Sequence, residues 1–249
     1  MKKILQVNHV TKTYGSQTAV NDLSLTLYEG DIYGFIGKNG AGKTTLIRMI
    51  AGLAKPTDGC ILLFGSQDLA AQRSNLGTVI ESPALYPNMT AYENMMVQCK
   101  LMDLSDANEH IKTVLTMTGL QNTGKKKARN FSLGMKQRLA IAIALLSFPK
   151  LLILDEPTNG LDPEGIREIR ELILKLNQKY HITVLISSHI LGELSKFATR
   201  YGIIHEGTLL EEFTEKELLE RCRSDQTGTE DLEDYFINVI HHASHQKMH

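Results

Sequence analysis

The sequence predicts an α/β fold with a mostly parallel sheet, split by an all-helical insertion. Three observations predict it. Short apolar runs alternate with segments of helical spacing, the pattern of strands joined by helical crossovers. A glycine-rich loop over residues 37–44 lies directly between such a strand and such a helix. From about residue 88 to 147, helical spacing continues without strand runs.

The elements follow in order. Ile4-Leu5-Gln6-Val7 and Ser24-Leu25-Thr26-Leu27 read as strands, with turns at Tyr14-Gly15-Ser16 and Glu29-Gly30-Asp31. Asp31-Ile32-Tyr33-Gly34-Phe35-Ile36 is a buried strand, and Leu46, Ile47, Met49 and Ile50 recur at helical spacing behind the loop. Lys55-Pro56-Thr57-Asp58-Gly59 is a turn, followed by strands over 60–64 and 77–81. Residues 90–102 and 107–118 predict helices, and a third starts near Leu133. Strands return at 151–154 and 183–186. Between them Pro163 stands at a first-turn position ahead of Ile166, Ile169, Leu172, Ile173 and Leu176, a helix signature. The predicted core is thus 1–81 plus 148–213, the helical insertion about 82–147, and 214–249 a short polar tail. That tail has one amphipathic stretch over 215–221 and a loop-like run over 224–229.

Composition sets limits. At 249 residues the chain holds one large domain, or one core with a subdomain. A formal net charge of -1 gives no global electrostatic case for nucleic acid or an anionic membrane. The longest apolar run, 139–148, is far short of the roughly 20 residues that cross a bilayer. Gln6, Asn8 and His9 interrupt any signal-peptide core behind Met1-Lys2-Lys3. Cys60, Cys99 and Cys222 form neither a disulfide framework nor a metal spacing, which fits a reducing compartment. The expectation is a soluble, cytoplasmic chain.

The loop reads Gly37-Lys38-Asn39-Gly40-Ala41-Gly42-Lys43-Thr44-Thr45, that is G-x-x-x-x-G-K-[ST] between strand and helix. Its glycines let the backbone approach phosphates, and the helix N-terminus adds unpaired N–H groups and a favourable dipole. Lys43 would reach the β- and γ-phosphates and Thr44 would place its hydroxyl on Mg²⁺. The loop predicts binding of a nucleoside triphosphate. Leu151-Leu152-Ile153-Leu154-Asp155-Glu156 then carries two carboxylates at the C-terminal end of an apolar strand, where ligands of open α/β sheets bind. Asp155 would hold Mg²⁺ through its water shell, and Glu156 would act as general base on the attacking water. Ser132 and Gly134 open another helix and make a second phosphate-binding N-terminus. The first loop already occupies its own γ-phosphate. The economical arrangement is therefore a head-to-tail dimer, each ATP held between one subunit's Lys43 loop and the other's Ser132 turn.

With these motifs in this order, the sequence resembles the nucleotide-binding subunits of ATP-binding-cassette (ABC) transporters, over residues 1 to about 213. The resemblance implies a P-loop NTPase (RecA-like) core with an antiparallel β subdomain and an inserted all-helical subdomain. Phe131-Ser132-Leu133-Gly134-Met135 resembles the signature L-S-G-G-Q, with Phe131, Leu133 and Met135 as departures. Asn159-Gly160-Leu161-Asp162 resembles the loop that crosses the dimer seam. His189, after Ser188, resembles the switch histidine that contacts the γ-phosphate, and Tyr14 the aromatic that stacks on adenine. Where the family usually carries a glutamine, this chain has Glu81, which could still ligate Mg²⁺ as a hard oxygen donor but adds charge beside a phosphate.

The implied activity is ATP hydrolysis driving a separate transmembrane permease, from the cytoplasmic face of the membrane. The second ATPase subunit would be either an identical or a different chain. Met135-Lys136-Gln137-Arg138 and the run from Glu81 to Asn94 are similar to the bacitracin-resistance and lantibiotic-immunity branch, which implies export of a peptide antibiotic or related amphipathic compound. Tyr86, Pro87, Met89 and Tyr92 either line a groove for a short helix of the permease or pack internally. His241, His242, His245 and His249 read as a solvated end, with a metal site as the alternative. A family member acting on ribosomes or nucleic acid is the alternative function. The span from Thr45 to Ser132 is too short for the long coiled coils of chromosome-organising relatives, and translation-factor relatives carry two heads in one chain. A switch without hydrolysis would leave Glu156 idle, and a kinase or GTPase would leave Ser132 and His189 unexplained.

Overall fold

In a computed structural model the described residues are 1–81 and 84–224, with Tyr235, Asn238 and Val239. Ser82, Pro83, the 225–229 part of the loop-like run and the tail histidines lie outside them. The elements in chain order are β1 (Lys3–Tyr14), β2 (Gln17–Tyr28), β3 (Ile32–Ile36), α1 (Lys43–Ile50), β4 (Asp58–Leu63), α2 (Leu69–Gln72) and β5 (Leu76–Val79). There follow α3 (Ala91–Leu101), α4 (Ala107–Met117), α5 (Leu133–Ala144), β6 (Leu151–Asp155) and α6 (Pro163–Tyr180). The last are β7 (Thr183–Ser188), α7 (Leu191–Leu194), β8 (Arg200–His205), β9 (Thr208–Thr214) and α8 (Glu215–Ser224). The chain packs as two compact units, Met1–Gln72 with Leu185–His249, and Arg73–Val184.

In the first unit, β2, β1 and β4 form an antiparallel sheet in that order. Alternation turns Leu5, Val7, Leu23, Leu25 and Leu27 inward, all buried. Strand β3 is buried along its whole length and pairs in parallel with β8, from Tyr33 opposite Arg200 to Ile36 opposite Ile203. Such two-sided burial explains an unbroken apolar run in place of alternation. Strand β8 continues into an antiparallel hairpin with β9, turning at Gly207. On α1 the helical spacing has its expected cause: Leu46, Ile47, Met49 and Ile50 are all fully buried, each contributing about 1.5–3 kcal/mol of transfer free energy.

In the second unit, β5 and β6 pair in parallel, with Val79 opposite Leu154. All five residues of β6 are buried. Helix α5 packs close to β5, since a Cβ on Gly77 would fall 2.4 Å from the Ala144 carbonyl oxygen. Between residues 84 and 147 the described chain has helices and turns but no strand. Helix α3 begins at a capping box: the Thr90 hydroxyl accepts from the Glu93 N–H, and the Glu93 carboxylate accepts from the Thr90 N–H. That bond first, and then Lys127 Nζ at 3.0 Å, hold the Glu93 carboxyl below the usual carboxylate range. Helix α6 starts at Asp162 with Pro163 as its first residue and ends at His181 in the left-handed region, φ 54°. Among the described residues no helix is long and apolar enough to cross a membrane.

Candidate nucleotide site

The phosphate loop belongs to the first unit. Strand β3 delivers Gly37 and α1 leaves from Gly42. A Cβ on Gly37 would lie 2.5 Å from the Ile204 carbonyl oxygen, and one on Gly42 would lie 2.5 Å from the Ala19 carbonyl oxygen. Gly42 also has φ 106°, so two independent constraints demand glycine there. Helix α1 has no side-chain cap and no acidic residue in its first turn, so its N-terminal dipole meets no negative charge from its own helix. Lys43 is buried, and its ammonium donates to the Gly37 carbonyl at 2.6 Å and the Lys38 carbonyl at 3.2 Å. A lysine held across the mouth of its own loop, beside a bare helix N-terminus, is built for a multiply charged anion.

Two other predicted residues lie in the same unit. His189 directly follows β7, and the carbonyl of the preceding Ser188 accepts the Gly37 N–H at 3.2 Å. The backbone thereby ties His189 to the first residue of the loop. Tyr14 closes β1 and is about half exposed, with Lys12 Nζ 4.8 Å from its ring centroid. The sequence reading missed the turn at Gly207. Its N–H donates to the Ala41 carbonyl at 2.9 Å and its carbonyl accepts from the Asn21 N–H at 2.9 Å. A strand-like run ending in Glu206-Gly207 before Thr208-Leu209-Leu210 was the available signal.

The second unit gathers the carboxylates. Asp155 ends β6 and is 3 % exposed. Glu156 follows with φ 49°, and Glu81, just past β5, has φ 59°. Val79 and Leu154 are the last registered pair of the parallel strands. Glu81, Asp155 and Glu156 therefore emerge at one end of neighbouring strands. Left-handed backbone at two non-glycine acids is a conformation that function often retains. The predicted strand 77–81 stops at Val79, because Glu81 turns away in that conformation. Among the described residues no cluster of three or more His, Cys, Asp or Glu side chains makes a metal cage. Magnesium on a nucleotide needs only one or two carboxylates besides phosphate and water.

Ser132, Gly134 and Asp162 meet in a cleft of about 450 Å³, also in the second unit. Two helix N-termini open on it. Ser132 caps α5, its hydroxyl accepting the Met135 N–H at 3.2 Å, and Asp162 caps α6, accepting the Gly165 N–H at 2.9 Å. The floor is pinned by Arg138 and Glu168, 3.4 Å apart. Gly134 has room for a side chain, since a Cβ would meet nothing nearer than 3.9 Å. Of the signature departures, Phe131 is buried and Leu133 is 48 % exposed at the helix mouth.

The residues around the start of α3 resolve the open choice about their exposure. Tyr86 and Tyr92 are exposed, as is Pro87, while Met89 is half-buried. The backbone beneath them is fixed. The buried Asn94 side chain accepts the Tyr86 N–H at 2.8 Å and donates to the Tyr86 and Thr90 carbonyls. The Pro87 and Met89 carbonyls accept from Arg129 and Ala128, each at 2.8 Å.

The comparisons with known proteins agree with these motifs. The family described as ABC transporter matches residues 20–159. The chain belongs to the ABC transporter family. It is 46 % identical over 256 residues to the bacitracin transport ATP-binding protein BcrA of Bacillus licheniformis, covering 99 % of this chain and 83 % of that protein. It is 41 % identical to the lantibiotic transport ATP-binding protein SrtF of Streptococcus pyogenes, covering 95 % of this chain and 97 % of that one. The fold matches the dimeric ATP-binding cassette MJ0796 in a post-hydrolysis state with ADP and Pi, at TM-score 0.74 and 28 % identity, over 85 % of this chain and 99 % of that chain. The protein is an ABC ATPase: it binds and hydrolyses ATP.

Proposed function

We propose that this ABC ATPase powers export of a peptide antibiotic or a related amphipathic compound from the cytoplasmic face of the membrane. Support comes from the shared sequence with the bacitracin and lantibiotic transport proteins along most of the chain. The observation that carries the mechanism is the division of anion-binding parts. An enclosed phosphate loop sits in one unit, and a cleft with two helix N-termini sits in the other.

In this reading Lys43 and the N–H groups of the loop hold the β- and γ-phosphates, and Tyr14 offers its free face to adenine. Thr44 and Glu81 are hard oxygen donors suited to Mg²⁺, and Asp155 would hold the ion through its water shell. The ion neutralises charge on the β- and γ-oxygens when bound. Glu156 takes the proton of the attacking water, and His189 contacts the γ-phosphate. Ser132, Gly134 and Asp162 complete the site from a second subunit, the same chain or another. ATP thus joins the two subunits, and loss of the γ-phosphate contacts to His189 and Ser132 reopens them. Residues 1–213 form the ATPase domain, with 82–147 as its helical insertion. The exposed Tyr86, Pro87 and Tyr92 on their fixed backbone receive a short helix of the permease.

The test is recovery of tagged Glu156→Gln with Mg-ATP from detergent-solubilised membranes of the native host. A stoichiometric polytopic membrane protein is expected. Ribosomes or DNA-bound proteins without a permease would overturn the transport reading.

A further inference from the structure

The motifs leave one feature of the first unit unused, the β8–β9 turn at Gly207 against the phosphate loop. We propose that Gly207 is a positioning residue for ATP binding, fixing the peptide between Ala41 and Gly42 by hydrogen bonding to its carbonyl.

Four observations converge on it. The Gly207 N–H donates to the Ala41 carbonyl at 2.9 Å, and the Gly207 carbonyl accepts from the Asn21 N–H at 2.9 Å. A Cβ on Gly207 would fall 2.9 Å from the Ala19 carbonyl oxygen, and Gly207 has φ 79°. The same Ala19 carbonyl fills the space a Cβ on Gly42 would need. On the other side, the Ile204 carbonyl of β8 fills the space beside Gly37. The hairpin β8–β9 and the start of β2 therefore brace both ends of the loop.

The consequence follows from peptide planarity. In a trans peptide the C=O and the following N–H point in opposite directions. Holding the Ala41 carbonyl toward Gly207 turns the Gly42 N–H away from the hairpin. An N–H aimed in advance costs no reorganisation when phosphate arrives. Asn21 lies near the start of β2, the end where Gln17 pairs with Tyr14, so the brace also ties the adenine-binding hairpin to the phosphate loop. This role rests on the phosphate-loop reading, which Mg-ATP binding by the parental chain tests separately.

Gly207→Ala places a methyl against Ala19 and strains the turn. Its expected effect is an Mg-ATP Kd about tenfold weaker, the scale of one lost hydrogen bond. The nucleotide-free melting temperature should move little in comparison with the lost stabilisation by Mg-ATP. Gly207→Asn separates the causes: asparagine tolerates the left-handed backbone but keeps the clash. It should lose affinity to the same extent. Unchanged affinity in both variants, with the fold intact, would overturn the proposal, as would full rescue by asparagine. The parental chain gives a readout free of any folding defect. Exchange of the Gly207 amide should slow when Mg-ATP binds, and an exchange rate indifferent to nucleotide would contradict the brace.

Discussion

Two helix N-termini in this protein are suited to phosphate, and they are built in opposite ways. At α1 the glycines are enforced from within: Gly37 and Gly42 each face a carbonyl oxygen 2.5 Å from where a Cβ would sit. The loop is closed by its own ammonium and braced by neighbouring strands. At α5 the cap is an ordinary serine, and Gly134 has nothing within 3.9 Å to require it. A glycine that its own chain does not need leaves room for something brought from outside. In the proposed arrangement one chain supplies the loop and a second supplies the α5 cleft.

That contrast can be broken or sharpened by substitution. The largest effect is expected at Glu156→Gln, which should lower hydrolysis by about 10²–10⁴-fold while ATP still binds. Parental turnover would remove Glu156 from the role of base. Lys43→Ala should weaken ATP binding by about 10–100-fold, the scale of a lost hydrogen bond between charged groups, as read by equilibrium titration. The sharpest pair is Gly42→Ala against Gly134→Ala. The first should impair nucleotide binding by the isolated chain. The second should leave monomer binding and melting temperature intact, with a helix gain of at most about 1 kcal/mol, yet reduce steady-state hydrolysis. Equal effects of the two would erase the distinction. Glu81→Gln should change hydrolysis by less than about tenfold, and a loss beyond a thousandfold would give Glu81 a catalytic role.

The smallest effect concerns stability. Thr90→Ala should cost about 1 kcal/mol by chemical denaturation without altering ATP affinity. The Glu93 carboxyl is held below its unfolded value. Its contribution is therefore present above the unfolded pKa and is lost as pH falls through the folded one. Glu93→Gln should flatten stability against pH in that acidic window and leave neutral-pH hydrolysis alone.

Much of this was legible in the sequence because the chemistry is local in the chain. The loop, its strand and its helix are contiguous, and burial on α1 follows the spacing of Leu46, Ile47, Met49 and Ile50. The start of α5 at Ser132 reads equally well, and its hydroxyl bonds the N–H three residues ahead. Asp162, in contrast, reads only as part of the seam-crossing loop, without its capping bond to Gly165. What else stayed hidden depends on long-range packing. Nothing near Gly207 reveals that its amide meets Ala41, and nothing near Gly42 reveals the carbonyl of Ala19. Strands β8 and β9 were passed over although residues 200–205 and 208–214 carry a hairpin pattern. Glu81 could be read as a substitution for glutamine, but its left-handed backbone could not.

The most direct test of a site divided between two copies is the sedimentation of Glu156→Gln with and without Mg-ATP. The divided site predicts monomers without nucleotide and dimers with it, and a return to monomers when Ser132 is also changed to Ala. A monomer under both conditions, or a dimer indifferent to ATP and to Ser132, would contradict it.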